Sequence, residues 1–383
     1  MFKRSVLAIV VGLALAGCGQ GASPSTSGSS GTAATEVKIG LEAPMTDFAA
    51  ADGESARTGA QLAIDYVNTE APLPGINLSL VVEDDQAKAD QGPTVAQRLM
   101  SQGVAGVVGG SYSGPLRAAA PVYQQGGTPM VVAYAVHPDI TKAGDLIYRI
   151  WPVADVEGAA VAKYAAEELG LKSVAVLNLD NDFGTSLAAG FTTAFKATGG
   201  TVPVAKTGAV GDKDYRAALT EIRAANPDGL FVAAYYTEGA QIAQQAADLG
   251  LDVKIIGAGM DSPQFLKLAG AAANGMVYLS TFNPVGEGGL VKWFVERYRA
   301  ARDLEPDSNS AASFDSVLVL ADAIRRAGTS DPAALSKAIK ETDLEGVTGH
   351  LTFDGNREVQ TTVYFHEVND GAIKTVGEVE IGG

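Results

Sequence analysis

Cysteine and histidine are scarce in this chain. Its 383 residues include one cysteine, Cys18, and three histidines, His137, His350 and His366. A single cysteine excludes a disulfide within the chain. The sequence also contains no G-x-S-x-G and no H-E-x-x-H motif, so it gives no local support for a serine hydrolase or a zinc hydrolase. We therefore expect no enzyme, no metal and no cofactor.

Acid–base chemistry by carboxylates is the alternative that composition leaves open. Asp84 with Asp85, and Asp180 with Asp182, follow strand-like runs and are the candidates for such a role. Paired acids at these positions are more often the polar ends of buried strands than catalytic groups.

Positive charge is limited as well. Lys and Arg together number 28 against 44 Asp and Glu, which gives a net charge of −16. This balance argues against nucleic acid or an anionic surface as a partner of the folded body. Hydrophobic residues make up 46% of the chain, enough for two or three domains with sizeable cores.

The apolar run at the N-terminus is too short to span a bilayer. It extends from Val6 to Ala16, follows Lys3 and Arg4, and leads into Leu-Ala-Gly-Cys at Cys18, which is typical of a bacterial lipobox. The pattern predicts export, with residues 1–17 as the signal peptide and Cys18 as the lipidation site. An ordinary signal peptide in which Cys18 has no role is the alternative.

Residues 18–35 are rich in Gly, Ser and Thr and lack apolar periodicity, so they are predicted to form a flexible linker. With a lipid on Cys18, this linker would tether the folded part to a membrane. The predicted location is periplasmic or otherwise extracytoplasmic.

From residue 36 onward, apolar strand-like runs alternate with amphipathic helical segments, and the alternation restarts after residue 152. Two successive rounds predict an α/β fold with two doubly wound parallel-sheet lobes. We expect residues 36–150 plus 282–354 to form the first lobe and residues 151–281 plus 355–383 the second. Lobes joined by several crossings form a hinge, and the cleft between them can close on a ligand.

One stretch in the first lobe, residues 107–141, is the predicted half of that cleft. It contains a strand ending at Gly109-Gly110, a loop with Ser113, a helix, and a second strand ending at Tyr134-Ala135-Val136. The carboxyl ends of neighbouring parallel strands are where open α/β sheets bind small ligands.

The order of several segments resembles a known family. These segments are KIGLEAPMTDFAAADGESARTGAQLAIDYVN, LVVEDDQ, GVVGGSYSG, PVYQQGGTPMV, VLNLDNDFG, AAYYTEGAQ, DSPQFLKLAG, FDSVLVLADAI and GVTGHLTFDG, within residues 36–370. Together they are similar to the type I periplasmic binding proteins of the leucine/isoleucine/valine-binding type. The resemblance implies a two-lobed receptor with three crossovers that delivers a small solute to an ABC permease in the inner membrane.

The resemblance also implies site residues in the first lobe. Ser113 falls where the family hydrogen-bonds a ligand carboxylate, and Tyr134, Ala135 and Val136 fall where backbone groups and a threonine hydroxyl contact the ligand. Val136 occupies the hydroxyl position, which departs from the pattern. Tyr112, beside Ser113, is included in the predicted site.

In the second lobe, Phe183 matches the aromatic residue that covers the ligand, with a core position as the alternative. Tyr236 is the second member of an aromatic pair and is expected to face the cleft. Asp261 falls near the acidic residue that holds an α-ammonium, although the preceding loop is shorter; alternatively it caps the helix that starts near Pro263. Asp52 and Phe48, in the first loop, are candidates to contact a ligand with a different head group.

The departures at Val136 and before Asp261 leave the identity of the ligand open. It is either an amino acid or a related amide, carboxylate or aromatic compound. A ligand sensor of the same fold, signalling to a membrane partner, is the alternative function.

Overall fold

The structure is a computed structural model that describes residues 34–381. The predicted signal peptide, the lipidation site Cys18 and most of the predicted linker lie outside the described residues. Of the linker, only its last residues are described, and Thr35 already belongs to the first strand. No helix of residues 34–381 is long and apolar enough to cross a membrane.

The first sheet contains only parallel strands. Its order is β2-β1-β3-β4-β5, formed by β1 (Thr35–Ala43), β2 (Ile76–Asp84), β3 (Gly106–Gly109), β4 (Met130–Val132) and β5 (Ile147–Arg149). Ile39 and Leu41 on one face of β1 and Gly40 and Glu42 on the other are buried, as expected for a central strand covered on both faces.

The second sheet combines a parallel part with an antiparallel extension. Parallel strands lie in the order β7-β6-β8-β9-β10, and β13 continues the sheet antiparallel to β10. Strand β13 also pairs with β12 and β14, and β12 with β11. The strands are β6 (Val174–Leu179), β7 (Ala205–Gly208), β8 (Gly229–Ala233), β9 (Lys254–Ala258), β10 (Val277–Ser280), β11 (Asp343–Glu345), β12 (His350–Phe353), β13 (Val359–Asn369) and β14 (Ala372–Ile381).

Helices cover both sheets. They are α1 (Ala50–Thr69), α2 (Gly92–Ser101), α3 (Ser113–Gly126), α4 (Ala154–Lys163), α5 (Asp182–Ala197), α6 (Arg216–Ala224), α7 (Tyr236–Asp248), α8 (Pro263–Ala269), α9 (Gly289–Arg302), α10 (Ser308–Ala327) and α11 (Pro332–Lys340). The chain leaves the first sheet after β5, returns after β10 to pack α9 and α10 against α1, and rejoins the second sheet with β13, whose first residues pair with β12. The predicted α/β fold with two doubly wound sheets and three crossings is confirmed.

Helix α10 starts earlier than the apolar pattern predicts. The pattern indicates a helix from about residue 312, whereas α10 begins at Ser308. Its start is set by a capping box: the Asp307 carboxylate accepts from Ser310 N at 2.8 Å, and Asp307 N donates to Ser310 Oγ at 3.2 Å. The buried helix then packs on β3, β4 and α1.

Glu42 of β1 is a buried acid in the first sheet. Its Oε2 accepts a hydrogen bond of 2.7 Å from Tyr123 Oη, and its Oε1 has no partner among the described residues. Burial, followed by the charge of Asp85, raises the pKa of Glu42 well above 4.5. The folded protein therefore favours the protonated carboxyl.

Replacing Glu42 with Gln should stabilise the protein at high pH. An acid with a raised folded pKa loses stability as the pH rises past its unfolded pKa, whereas Gln cannot ionise. We expect Glu42→Gln to melt several degrees above the wild type at about pH 8, with the difference shrinking toward about pH 4.5. Thermal melts at both values test this, and an equal or lower melting temperature at the higher pH would contradict it.

Candidate ligand-binding cleft

A small cavity lies between the carboxyl ends of the two sheets. The strands β3, β4, β6, β8 and β9 end near it, as expected for a ligand site in parallel α/β sheets. The cavity is lined by Asp52, Tyr112, Ser113, Tyr134, Ala135, Val136, Trp151, Glu157, Phe183, Tyr235, Gly259, Asp261, Leu279, Ser308 and Asn309. The structure thus brings together all the predicted site residues except Tyr236 and Phe48.

Ser113 joins two loops of the first sheet. It is the first residue of α3, and its Oγ accepts hydrogen bonds from Val136 N at 3.2 Å and His137 N at 3.3 Å. The neighbouring carbonyl of Ala135 accepts a bond of 2.9 Å from Arg149 Nη1. The loop after β4 therefore presents backbone groups whose positions are fixed by buried side chains.

Three aromatic rings form a stack across the cavity. Tyr112, from the first sheet, lies 4.0 Å from the ring of Tyr235, from the second, with an interplanar angle of 8°. Phe183 stacks on Tyr235 with a centroid distance of 5.1 Å. Asn181 Nδ2 donates to Tyr235 Oη at 3.0 Å, which orients this ring. The stack closes the cleft with apolar faces from both sheets.

Gly259 allows Phe183 to occupy its position. Its φ is +80°, and a Cβ at this residue would lie 2.7 Å from Phe183 Cζ and 2.7 Å from the carbonyl oxygen of Ala234. Both the backbone conformation and the space require glycine.

Tyr236 does not line the cavity. Its Oη donates to the Phe48 carbonyl at 2.5 Å, which links a helix of the second sheet to the loop after β1. An ion pair of 2.8 Å between Arg117 on α3 and Asp182 on α5 forms another bridge between the two sides. Within the pair that sequence reasoning singled out, Tyr235 lines the cavity and Tyr236 bridges the cleft.

The space between these bridges is small. The cavity measures about 40 Å³, and a single water needs roughly 10–15 Å³ of such space. This space is too small for a ligand the size of an amino acid, so the cleft must widen to admit one. The structure describes a closed cleft.

Asp52 is a buried acid at this cavity. It is 4% exposed; Tyr112 Oη donates to its Oδ2 at 2.7 Å, and its Oδ1 has no partner among the described residues. Burial is the main reason that the pKa of Asp52 is raised to about 8, and the charges of Asp307 and Asp261 raise it further, against the bond from Tyr112.

Asp261 connects elements of both sides. Its Oδ2 accepts from Ser280 Oγ at 2.6 Å and from Ser308 N at 3.1 Å. It does not cap α8, because the N-cap of that helix is Ser262, whose Oγ accepts from Gln264 N at 3.3 Å. The capping alternative for Asp261 is therefore wrong, and the carboxylate lies at the cavity.

Sequence reasoning missed Glu157 and Trp151, which reach the cavity from the segment that leaves the first sheet. Trp151 Nε1 donates to Glu157 Oε2 at 2.8 Å, and burial raises the pKa of Glu157 to about 7. Other lining residues that it did not assign to the site are Tyr235, Gly259, Leu279, Ser308 and Asn309. Only the Gly-Ala-Gly run around Gly259 and the Tyr235-Tyr236 pair carried a local signal. Leu279 belongs to β10, and Ser308 and Asn309 begin α10.

The described residues include no group of three His, Cys, Asp or Glu side chains placed to hold a metal ion. Asp84, one of the candidate catalytic acids, is the last residue of β2 and accepts from the backbone amides of Met45 and Gln86 at 2.8 Å each, which is a structural role.

Comparisons with known proteins agree with this architecture. The sequence matches the family described as periplasmic binding protein over residues 36–372. It is 29% identical over 338 residues to the leucine-, isoleucine-, valine-, threonine- and alanine-binding protein of Pseudomonas aeruginosa, covering 87% of this chain and 90% of that protein.

Two solved structures are similar over nearly the whole described chain. The branched-chain amino acid transporter substrate-binding protein LivJ from Streptococcus pneumoniae, in complex with isoleucine, has a TM-score of 0.84 and 29% identity and covers 90% of this chain and 100% of its own. An ABC-transporter solute-binding protein from Rhodopseudomonas palustris, in complex with 3,4-dihydroxybenzoic acid, has a TM-score of 0.81 and 26% identity, with coverages of 90% and 97%.

The matching family and relatives are binding proteins, so the expectation of a non-enzymatic protein is confirmed, and the family indicates an extracytoplasmic location. Together with the two doubly wound sheets and the cleft between them, these matches show that the chain belongs to the periplasmic binding protein family, in its leucine/isoleucine/valine-binding type.

Proposed function

We propose that the protein is the solute receptor of an ABC importer. A small ligand binds between the two sheets, the cleft closes on it, and the closed receptor delivers it to a permease in the inner membrane. The observation that carries this proposal is the Tyr112–Tyr235 stack, a contact of 4.0 Å between residues of the two sheets directly at the cavity. A ligand that separates these rings alters the contact between the two sides.

In this proposal, the moving lobes are residues 36–150 plus 282–354 and residues 151–281 plus 355–383. The Tyr236 to Phe48 bond and the Arg117–Asp182 ion pair break when they separate. A lipid on Cys18 holds the receptor at the membrane through residues 18–35.

The ligand carries a carboxylate that binds at Ser113. The amides of Val136 and His137 already converge on Ser113 Oγ, and the N-terminus of the 14-residue helix α3 starts there. Converging N–H groups at a helix start favour an anion. The ligands of the two solved relatives, isoleucine and 3,4-dihydroxybenzoic acid, both contain a carboxyl group.

A ligand screen by thermal shift and calorimetry tests the function. We expect amino acids, amides, short carboxylates and aromatic acids to include at least one compound that raises the melting temperature, since a ligand at 100 times its Kd stabilises the folded state by about 2.7 kcal/mol. Chemical turnover of the bound compound, or no binding by any class, would contradict the receptor function.

Ser113→Ala should weaken ligand binding about tenfold or more, because the variant loses a hydrogen bond to a charged group. It should also lower the stability of the empty protein by about 1 kcal/mol, because the buried amide of Val136 and the partly buried amide of His137 lose their acceptor. Ser111→Ala is the matched control: Ser111 is buried in the same loop but does not line the cavity. Calorimetry with the screened ligand should show unchanged affinity in the control; equal losses in both variants would remove Ser113 from the site.

A further inference from the structure

The cavity has an imbalance of charge. Three acids line it, Asp52, Glu157 and Asp261, and Asp307 lies close enough to raise the pKa of Asp52. No Lys or Arg is among the described residues that line it. Gathering acids in a buried site without a positive partner is costly unless the site takes up protons or a cation.

Among these three acids, Asp52 is the one whose unused acceptor is fully buried. Asp261 shares its Oδ2 between two donors, and Glu157 receives the indole N–H of Trp151. Asp52, which lines the cavity, uses Oδ2 for Tyr112, while its Oδ1 is buried and has no donor among the described residues. A buried carboxylate oxygen without a donor leaves its desolvation uncompensated. The site therefore lacks a donor at this point.

The rings beside Asp52 favour a particular kind of donor. Tyr112 donates to Asp52 and stacks on Tyr235, and Phe48 lies near both rings, with centroid distances of 6.2 and 6.0 Å. Aromatic faces next to a carboxylate attract a cation, especially when water is excluded. A protonated amine supplies both the positive charge and the N–H groups that Oδ1 can accept.

We propose that Asp52 binds a protonated amine of the ligand, so that the cleft prefers a solute with a cationic group at this end over a neutral solute of the same size. This inference rests on the proposed function of the cleft as a solute site. It differs from recognition of an α-ammonium by Asp261, because Asp52 lies on α1 and contacts the ring that precedes Ser113.

Binding of such a cation should release a proton. In the empty protein, Asp52 has a pKa of about 8 and is mostly protonated at about pH 7. Several titratable groups either influence the pKa of Asp52 or have a pKa that the charge of Asp52 raises. They are Tyr112, Asp307, Asp261, Tyr134, Tyr235 and Tyr236. An amine next to Asp52 favours the ionised form, which lowers its pKa and expels the proton.

Calorimetry with L-lysine, L-norleucine and putrescine tests the proposal. L-norleucine is L-lysine without its side-chain amine, and putrescine is an amine without a carboxylate. We expect L-lysine or putrescine to bind the wild type at least tenfold more tightly than L-norleucine. Binding of L-lysine alone assigns the site to an amino acid with a cationic side chain, whereas binding of putrescine assigns it to a simple amine.

The variant Asp52→Asn should lose at least tenfold in affinity for the cationic probe and change affinity for L-norleucine less than threefold. Titrations in phosphate and imidazole at about pH 7 should reveal release of close to one proton by the wild type and none by Asp52→Asn. Proton release that persists in the variant would point to Glu157 and overturn the assignment to Asp52. Asp47→Asn, an exposed acid in the loop before α1, is the matched control, and thermal melts check that each variant folds.

L-norleucine binding as tightly as L-lysine and putrescine in the wild type overturns the inference while the receptor function stands. The inference is overturned in the same way if none of these probes binds while the wider screen finds an uncharged ligand. If no compound of the screen binds, the proposed function fails together with the inference.

Discussion

Replacing Arg149 with Met is expected to destabilise the protein by about 3–5 kcal/mol, the typical cost of removing one member of a buried ion pair. Arg149 is completely buried at the end of β5. Its Nε and Nη2 donate to the two carboxylate oxygens of Glu358 at 2.7 and 2.9 Å, and its Nη1 donates to the carbonyls of Ala135 and His137 at 2.9 and 3.0 Å.

The size of this effect comes from what the substitution leaves behind. Glu358, whose side chain is 17% exposed, precedes β13 on the last crossing and loses its cation. Two carbonyls of the loop that carries Ala135 lose their donor at the same time. We therefore expect Arg149→Met to reduce ligand affinity as well, because this loop forms one wall of the cleft.

Urea denaturation measures the change in stability. Arg299→Met is the matched control, since Arg299 forms an ion pair with Glu305 of 2.7 Å in which the two side chains are 54% and 56% exposed. Exposed pairs contribute roughly 0–1 kcal/mol. A similar loss of stability in both variants would show that the buried pair has no special role at the crossing.

Gly59→Ala is expected to cost roughly 3 kcal/mol, the upper part of the usual range for overpacking a core. Gly59 lies on α1 where this helix crosses α10, and a Cβ there would lie 1.9 Å from the carbonyl oxygen of Ser310. The obstacle is backbone, so the two helices must move apart. In an exposed helix, replacing Gly with Ala would stabilise the helix by about 1 kcal/mol. At this helix crossing the same replacement is expected to destabilise the protein.

Gly289→Ala provides the comparison for this prediction. Gly289 begins α9, and a Cβ at that position meets no atom within 4 Å. Its urea denaturation midpoint should be equal to or above that of the wild type, while that of Gly59→Ala falls. A Gly59→Ala variant as stable as the wild type would contradict the close approach of α1 and α10 at this residue.

Much of the fold could be predicted from the sequence. Buried parallel strands are continuous apolar runs, such as β4 and β8, and the helices between them show apolar sides and punctuation by Gly and Pro. Boundaries were less accurate. Helix α10 starts upstream of its apolar pattern because polar capping residues, which carry no periodicity, determine where it begins.

The site could be predicted in part, and the limit is visible in the Tyr235-Tyr236 pair. Both tyrosines lie at the start of α7, Tyr235 as the N-cap and Tyr236 as the first helical residue. Their side chains leave the chain in different directions, so one enters the cavity and the other crosses to Phe48. A sequence pattern marks the loop but does not determine which neighbour faces the ligand.

The sequence by itself determined the class of fold, the two rounds of alternating strands and helices, and the loops at Ser113 and Tyr134, because these depend on local periodicity and on where strands end. Only the tertiary structure decided the partners of Asp52 and Asp261, the place of Glu157 and Trp151 at the cavity, and the ring stack that closes it. Those features join residues that are far apart in the chain. The Oδ1 of Asp52 is an unused acceptor because it is buried, and it becomes buried only once both sheets have packed.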